Sequence, residues 1–198
     1  MNVINYFSAS VVQKAILIEN RKKKLDKLDE VLEEHNVGEK DSVAKALIFG
    51  KTKKGVDFLA LKLSEKLEEK CMTMHGDRSQ EWVSVICLFI LSQLSKPKKC
   101  QREIALWTFS TSNCPVLVAT NVAARGLDIP AVDLIVNFDC SDECYFNDDY
   151  IHRIGRAGRV GRPGTAVTFI DKERDAGKAA ILKMLMEVSL FTLIYYNL

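Results

Sequence analysis

The sequence predicts an α/β fold, a three-layer domain in which helices cover both faces of a mostly parallel sheet. Short apolar, β-branched runs alternate with longer segments that show helical periodicity. This alternation is typical of parallel sheets, because the connection between two parallel strands must cross one face of the sheet. Two of the runs, 116–119 and 132–138, are apolar almost throughout, as expected for strands that are buried on both faces.

Each predicted element rests on its own pattern of apolar residues. Strands are predicted over Val11–Ile18, 46–49, Cys71–Met74, 116–119, 132–138 and 165–170. Helices are predicted over 22–34, 55–70, 101–109, 148–154 and 172–187. In the helix over 55–70, Val56, Leu59 and Leu63 fall on one stripe that can face the sheet. Asp148 or Asp149 is expected to cap the helix over 148–154.

Composition and charge limit the class of protein. Hydrophobic residues make up 47% of the 198 residues and charged residues 27%, as in a globular domain with a sizeable core. With a net charge of +2, a polyanion must bind at local clusters, and the cluster at 21–24 is expected on a solvated helix. The six cysteines form no C-x-x-C pair, so no metal site is predicted. No signal-peptide pattern opens the sequence, and we expect an intracellular protein, cytoplasmic or alternatively nuclear.

Polar segments that carry glycine follow several of the predicted strands. In a parallel sheet, the carboxyl ends of the strands share one edge, and ligands bind in the loops at that edge. We therefore expect one rim to gather Thr52, Lys53, His75, Asp77, Arg78, Thr120, Arg125, Asp128 and the arginines of 153–162. Taken alone, His75 could be a strand-end hydrogen bonder, Asp77 a helix cap and Gly126 a turn glycine.

The segment 150–164 reads YIHRIGRAGRVGRPG, with an arginine at every third position from Arg153 to Arg162. Guanidinium groups are forked donors that match phosphate oxygens and stay charged at physiological pH. The neighbouring glycines allow a ligand to approach the backbone closely. The spacing therefore predicts phosphate binding, with a solvated basic loop as the alternative.

Four motifs in this sequence occur in the order of a known family. They are FGKTKKG (49–55), MHGDRSQ (74–80), VATNVAARGLDIP (118–130) and HRIGRAGRVGRPG (152–164). Together they resemble the carboxyl-terminal motor domain of DEAD-box ATP-dependent RNA helicases, and the Vasa-like branch in particular. The resemblance covers roughly residues 10–187. It implies a RecA-like domain, the second of two that close around ATP and RNA.

On the ATP side, the resemblance assigns a role to each matching residue. Arg156 and Arg159 match the arginine fingers that reach the γ-phosphate and neutralise charge during phosphoryl transfer. Asp128 matches the carboxylate that meets the ATP ribose, and Gly126 matches a second ATP-binding position. His152 and Arg153 match residues that couple the ATP side to the neighbouring domain. ATP and Mg²⁺ would be held mainly by the first domain, because this sequence contains neither a G-x-x-x-x-G-K-[ST] loop nor a D-E-A-D motif.

On the RNA side, four residues match positions that grip the sugar–phosphate backbone, namely Thr52, Gly76, Arg102 and Thr120. Backbone contacts carry no sequence information, so the implied partner is single-stranded or duplex RNA, bound with little sequence preference and strong salt dependence. The other implied partner is a first RecA-like domain, in cis or in trans, and no membrane is implied. The chain alone is expected to lack ATPase activity.

Two segments depart from the family pattern. The family's Q-x-x-R motif separates its end residues by two positions, whereas 21 residues separate Gln80 from Arg102, which leaves an insert at 81–99 that is apolar and then basic. The hydrophobic tail 188–198 matches nothing in the family. Both segments contain Val-Ser followed by sequence rich in Leu, Phe and Ile. One hypothesis is a truncated product that carries unspliced sequence, and the other is a genuine partner-binding loop.

These observations support two hypotheses from different classes. The first is the second motor domain of an ATP-dependent RNA helicase. The second is a non-enzymatic RNA-binding or regulatory fragment, which the missing phosphate loop favours for the chain as it stands.

Overall fold

The structure is a computed structural model that describes residues 11–67, 71–75, 98–111, 114–124, 129–142, 145–158, 163–188 and 193–196. Within these ranges the strands are β1 (Val11–Ile18), β2 (Ala46–Gly50), β3 (Cys71–Met74), β4 (Val116–Thr120), β5 (Leu134–Asn137), β6 (Gly164–Asp171) and β7 (Leu193–Tyr196). They form one sheet in the order β3-β4-β2-β5-β6-β1-β7, and every pair of neighbours is parallel. The predicted parallel α/β sheet is therefore confirmed.

Helices connect the strands, as a parallel sheet requires. In the described residues these are α1 (Lys24–Glu34), α2 (Lys53–Lys66), α3 (Lys98–Thr111), α4 (Asn121–Ala124), α5 (Phe146–Ile154) and α6 (Ala176–Val188). A 3₁₀ turn at Arg21–Lys23 precedes α1. Each of the five predicted helices is present, with ends that differ by a few residues from the prediction.

Two hydrophobic layers hold these helices to the sheet. One layer packs Leu28 of α1 and Leu59 of α2 against Ile48 of β2. The other packs Phe109, Tyr150 and Leu182 of α3, α5 and α6 against the opposite face. Because side chains alternate along a strand, β2 supplies Ala46 and Ile48 to the first layer and Leu47 and Phe49 to the second. All four are buried, which explains why the run is apolar throughout.

The chain leaves β2 and β5 toward opposite faces of the sheet, although these strands are neighbours. β2 continues into α2 in one layer, whereas β5 continues toward α5 in the other. In open α/β sheets such a reversal opens a crevice outside the carboxyl ends of the strands, where ligands bind. The fold thus places the candidate site at the carboxyl edge, beside the ends of β2 and β5.

The starts of two helices differ from the prediction. The helix α5 begins at Phe146, with Tyr145 as a cap that makes no side-chain hydrogen bond, so Asp148 and Asp149 lie in the first turn. There they still favour the helix, because carboxylates stabilise the positive end of its dipole. The helix α6 begins later than predicted, since the Asp171 carboxylate accepts from the backbone N–H of Glu173 and Arg174 and forms a turn.

Lys24 is buried, and the prediction that the whole basic cluster at 21–24 lies on a solvated helix is wrong for this residue. Its side chain is 7% exposed, with Nζ at 2.8 Å from Asp139 Oδ1 and at 4.5 Å from the centre of the Phe138 ring. The ion pair and the aromatic face replace the water that the ammonium loses on burial. Lys24 therefore ties α1 to the segment that follows β5.

The tail supplies a seventh strand. β7 pairs with β1 in parallel, with Gln13 opposite Leu193 and Ile16 opposite Tyr196. The connection from β6 through α6 therefore passes over β1 and adds β7 on its far side. The predicted domain limits at 10 and 187 stay a prediction.

Much of the insert lies outside the described residues. That portion comprises 81–97, and Lys98 and Lys99 are the first residues of α3. None of the helices in the described ranges combines the length and the apolar character that crossing a bilayer requires.

Removing 189–198 tests the pairing of the tail. Because β7 hydrogen bonds to one side of β1, its loss should raise amide hydrogen exchange about tenfold for the β1 amides that face it, which corresponds to about 1.4 kcal/mol of local protection. Mass-spectrometric exchange on the full chain and on the truncated chain measures this. The central strand β2 serves as internal control and should exchange equally in both, and an unchanged β1 would contradict the pairing.

Candidate functional site

Three chain segments meet side by side at the carboxyl edge of the sheet. Gly50 of β2 pairs with Thr120 of β4, and Met74 of β3 pairs with Ala119. His75 therefore lies level with Thr120 on one side, and Thr52 follows Gly50 on the other. Neighbouring strands are about 4.8 Å apart, so the strand ends form a short, regular row. The row that was predicted from the sequence is present for these residues.

Thr52 caps helix α2 at this edge. Its Oγ1 accepts a hydrogen bond of 3.1 Å from the backbone N–H of Gly55. A residue with a side-chain acceptor at this position is typical of a helix start, and it leaves other N–H groups of the first turn pointing outward. These groups and the positive end of the helix dipole favour an anion beside Thr52. Thr52 itself is exposed, so its hydroxyl is open to a ligand, whereas Thr120 is only 6% exposed.

Arg153 is a heavily bonded residue of this edge. It lies on α5 and is only 4% exposed. Its Nε donates to Asn121 Oδ1 at 2.6 Å, and its Nη1 donates to Asn137 Oδ1 at 3.1 Å and to the Asp139 carbonyl at 2.8 Å. The carbon of the guanidinium lies 4.8 Å from the centre of the Phe49 ring. A buried arginine keeps its charge, so this dense set of acceptors is what makes its burial tolerable.

Two further polar residues complete this set, which we call the Arg153 clamp. Ser141 Oγ accepts from Arg153 Nη2 at 3.0 Å, and Asn121 Nδ2 donates to Ser141 Oγ at 2.9 Å. Asn121 Nδ2 also lies 2.5 Å from an oxygen of Asp149, which is 5% exposed. The Arg153 clamp thus comprises Arg153, Asn121, Asn137, Ser141, Asp149 and the Asp139 carbonyl. It joins α5 to the ends of β4 and β5.

A cavity of about 270 Å³ opens beside the clamp. Its walls are Phe49, Asn121, Ala124, Ile129, Asp149, His152, Arg153 and Arg156. His152 is exposed and Arg156 is half-buried, so both can reach a bound molecule, whereas Arg153 is engaged inside the domain. The cavity is therefore lined by apolar residues, by polar members of the Arg153 clamp, and by an exposed histidine and a half-buried arginine.

Backbone hydrogen bonds join the chain from Arg156 onward to the segment that leads into β5. The Val132 N–H donates to the Arg156 carbonyl at 2.9 Å, and the Gly158 N–H donates to the Val132 carbonyl at 2.8 Å. Gly158 has a φ of 91°, which other residues rarely adopt. A Cβ atom on Gly164 would lie 2.0 Å from the Gly158 nitrogen. Two of the glycines in the arginine run are therefore required by this close packing of chain segments.

Two neighbouring groups are kept neutral by burial. Burial raises the pKa of the Cys140 thiol to about 12, and it also raises the pKa of the Tyr150 phenol. The Tyr150 hydroxyl donates to Gln13 Oε1 at 2.5 Å, which ties α5 to β1. Neither group can serve as a base or a nucleophile near neutral pH.

The structure describes part of the predicted site. It brings Thr52 and Thr120 to one edge and Arg156, His152 and Arg153 to the adjoining cavity. Arg102 lies on α3, where its side chain is outside what the structure describes. The predictions for Gly76, Gly126, Asp128 and Arg159 fall on residues outside the described ranges. All the assigned roles, including that of Arg153 toward a neighbouring domain, stay predictions.

Sequence reasoning missed most of the Arg153 clamp. Asn121 could have been noticed, because it directly follows Thr120 inside a quoted motif. Asn137 breaks an otherwise apolar strand, which is also a signal, since a buried amide needs a partner. Ser141 lies in a loop with no pattern that marks it.

The family model described as helicase conserved C-terminal domain matches residues 23–161. The ATP-dependent RNA helicase vasa of Drosophila melanogaster is 39% identical over 182 residues, which are 92% of this chain and 23% of that protein. A probable ATP-dependent RNA helicase DDX4 of Pelophylax lessonae is 41% identical over 152 residues, which are 77% of this chain and 17% of that protein. The chain thus spans about a fifth of the length of these relatives.

Solved structures with the same fold include the yeast DEAD-box splicing factor Prp28. It has a TM-score of 0.70 and 32% identity, over 95% of this chain and 35% of that chain. The S. cerevisiae protein Dbp5 bound to RNA and ADP BeF3 has a TM-score of 0.69 and 25% identity, over 96% of this chain and 42% of that chain. The three-layer, RecA-like architecture is therefore that of DEAD-box proteins.

The substitution Arg153→Lys tests the Arg153 clamp. Lysine keeps the charge but cannot supply the fork that bonds Asn121, Asn137 and Ser141 together, so buried acceptors lose their donors. We expect the free energy of unfolding in urea to fall by about 2–4 kcal/mol.

The matched control is Arg174→Lys, at an exposed arginine between β6 and α6. We expect it to change the free energy of unfolding by less than about 0.5 kcal/mol. Equal, small effects of the two substitutions would show that the clamp contributes little to stability.

Proposed function

The chain belongs to the helicase conserved C-terminal domain family, within the DEAD-box RNA helicases, and we propose that it acts as the second RecA-like motor domain of such an enzyme. In this role it binds the RNA backbone along the carboxyl edge of its sheet and presents Arg156 and Arg159 to ATP. The observation that carries the proposal is the row of strand ends at Thr52, His75 and Thr120, beside the cavity that Arg156 and His152 line.

On the RNA side, the row suits a phosphate chain. Thr52 offers a hydroxyl and the N-terminus of α2, and Thr120 ends β4 directly beside it. These groups hydrogen bond to phosphate and sugar and do not read bases, so binding has little sequence preference. We propose that Gly76 and Arg102, which match RNA-binding positions of the family, also contact the RNA backbone.

On the ATP side, the half-buried Arg156 is one of the residues that line the cavity. We propose that ATP and Mg²⁺ are held mainly by a first RecA-like domain and that Asp128 meets the ribose. When the two domains close, Arg156 and Arg159 stabilise the charge that grows on the γ-phosphate during transfer to water. The Arg153 clamp holds α5 in place, so that Arg156 starts from a fixed position.

A fusion tests this assignment. Joining the first RecA-like domain of a Vasa-like helicase to this chain through a flexible linker should produce ATP hydrolysis that rises with added oligo-uridine RNA, measured as phosphate release. We expect Arg156→Ala to lower that rate by about 10³-fold, which is the lower end for an arginine finger. The unfused chain should hydrolyse no ATP above its own Arg156→Ala variant.

Arg174→Ala is the matched control in the same fusion, since it removes an exposed arginine outside the cavity wall. It should leave the rate within about twofold, as a surface change away from the site would. Equal rates for the Arg156→Ala and Arg174→Ala fusions would contradict the role of Arg156.

The alternative function is that of a non-enzymatic RNA-binding or regulatory fragment. The observation in its favour is that this sequence contains no phosphate loop and no D-E-A-D motif. RNA binding without ATPase activity in the fusion, at any RNA concentration, would favour this alternative over the motor domain.

Deleting 81–99 tests whether the insert obstructs RNA. After the deletion, two residues separate Gln80 from Arg102, as in the family's Q-x-x-R motif. We expect tighter binding of oligo-uridine in fluorescence anisotropy, with a salt slope that steepens by about 0.7 for every additional phosphate group that the protein neutralises. Weaker binding after the deletion would instead identify the insert as part of the RNA-binding surface.

A further inference from the structure

A second buried polar group lies on the rim, apart from the Arg153 clamp. His75 is the first residue after β3, and its side chain is 3% exposed. Its Nε2 lies 2.8 Å from Oδ1 of Asp57, which is one turn into α2. An ionised carboxylate only accepts hydrogen bonds, so Nε2 carries the proton and donates it. Among the described residues, Nδ1 is buried and has no hydrogen-bond partner.

The bond to Asp57 is therefore the polar contact that orients the imidazole within the described part of the chain. β3 is the outermost strand on its side of the described sheet, so it has a neighbouring strand, β4, on one side. A buried imidazole with one unpaired nitrogen lowers the stability of the fold, so the hydrogen bond at its other nitrogen has to be well made. Asp57 remains 42% exposed, which means that it meets water on one side and the ring on the other.

The Asp57–His75 bond links helix α2, which follows β2, to the end of β3 at the row of strand ends. Gly50 ends β2, Thr52 caps α2, and Asp57 lies five residues further along that helix. His75 lies level with Thr120, because Met74 pairs with Ala119. Thr52 is thus fixed to the end of β2 through the chain and to the end of β3 through the Asp57–His75 bond. Gly76 follows His75 directly in the sequence.

We propose that Asp57 and His75 form a positioning pair that sets the end of β3 at the correct distance from Thr52 for both to bind one RNA backbone. The inference rests on the RNA-binding function proposed above and assigns it two residues that do not touch RNA themselves. Asp57 carries a negative charge close to the path of the phosphates. Its presence there would oppose RNA binding on charge grounds, so its contribution must come from position.

Because Asp57 is negatively charged, the direction of the change in RNA affinity distinguishes an effect of its charge from an effect of its position. If Asp57 acts only through its charge, Asp57→Ala tightens RNA binding, whereas loss of a positioning bond weakens it. We expect Asp57→Ala in the full chain to weaken binding of single-stranded oligo-uridine by about 3–10-fold, measured by fluorescence anisotropy across a salt series. Asp57→Asn keeps an oxygen that accepts from Nε2 and should bind as tightly as the unchanged chain or more tightly.

Glu65→Ala supplies the matched control, because it removes a carboxylate from the same helix that pairs with Lys62 and lies away from His75. It should change RNA affinity by less than about twofold. Tighter binding of Asp57→Ala, or a lowered melting temperature of Asp57→Ala with unchanged RNA affinity, would overturn the positioning role.

A readout without RNA separates the two proposals. The ¹⁵N shifts of the imidazole should show the Nε2–H tautomer at His75 in the unchanged chain and a mixture in Asp57→Ala. If the fusion with a first RecA-like domain shows no ATP hydrolysis that rises with RNA, the proposed function fails, and these shifts still decide the pair. A tautomer ratio that is indifferent to Asp57→Ala would show that Asp57 does not hold the ring.

Discussion

The buried guanidinium of Arg153 is the interaction on which the carboxyl edge of the sheet depends. It cannot lose its proton, so the chain must bring acceptors to it from every side. The acceptors come from Asn121 after β4, from Asn137 and the Asp139 carbonyl at the end of β5, and from Ser141. The chain at Asn121 and the segment 137–141 are thus joined to α5 at one charge, and neither can shift without leaving part of that charge unsatisfied.

The parallel sheet supplies the frame in which this charge is useful. Because all described strand pairs are parallel, every carboxyl end lies on the same edge. The register then decides which residues become neighbours, as the pairing of Gly50 with Thr120 shows. Arg153 holds α5 against the ends of β4 and β5. Helix α5 carries His152 and leads into Arg156, so these two residues lie next to the row. The row of strand ends and the adjoining cavity are therefore parts of one edge.

Sequence patterns predicted the fold well, because a strand that is buried on both faces has apolar residues at nearly every position. The runs at 46–49 and 116–119 are apolar throughout, since both of their faces are covered. The predictions failed where a polar residue is buried with a distant partner. Lys24 looked like one member of a basic cluster, and only the fold brings Asp139 to it. Asn121, Ser141 and Asp149 meet across 20 and 28 positions, a separation that no local pattern reveals.

The site residues divide in a similar way. Motif resemblance singled out Thr52, Thr120, Arg153 and Arg156, because each stands in a short segment with a characteristic order of residues. It described Arg153 by its place in a motif, whereas the structure shows its contacts within the domain. Asp57 was not found, since an acidic residue on an exposed helix face looks like an ordinary solvated side chain. His75 was expected on the rim, but its bond to Asp57 arises only because α2 packs beside the end of β3.

The tail strand changes which part of the sheet meets other molecules. With β7 in place, β1 becomes an interior strand, and the described sheet ends in a segment that reads LIYY. Short edges rich in isoleucine and tyrosine, with no charge and no proline, are templates for pairing with another chain. Crowded or concentrated solutions of this protein are therefore expected to associate first along the β7 edge, far from the residues that would bind RNA.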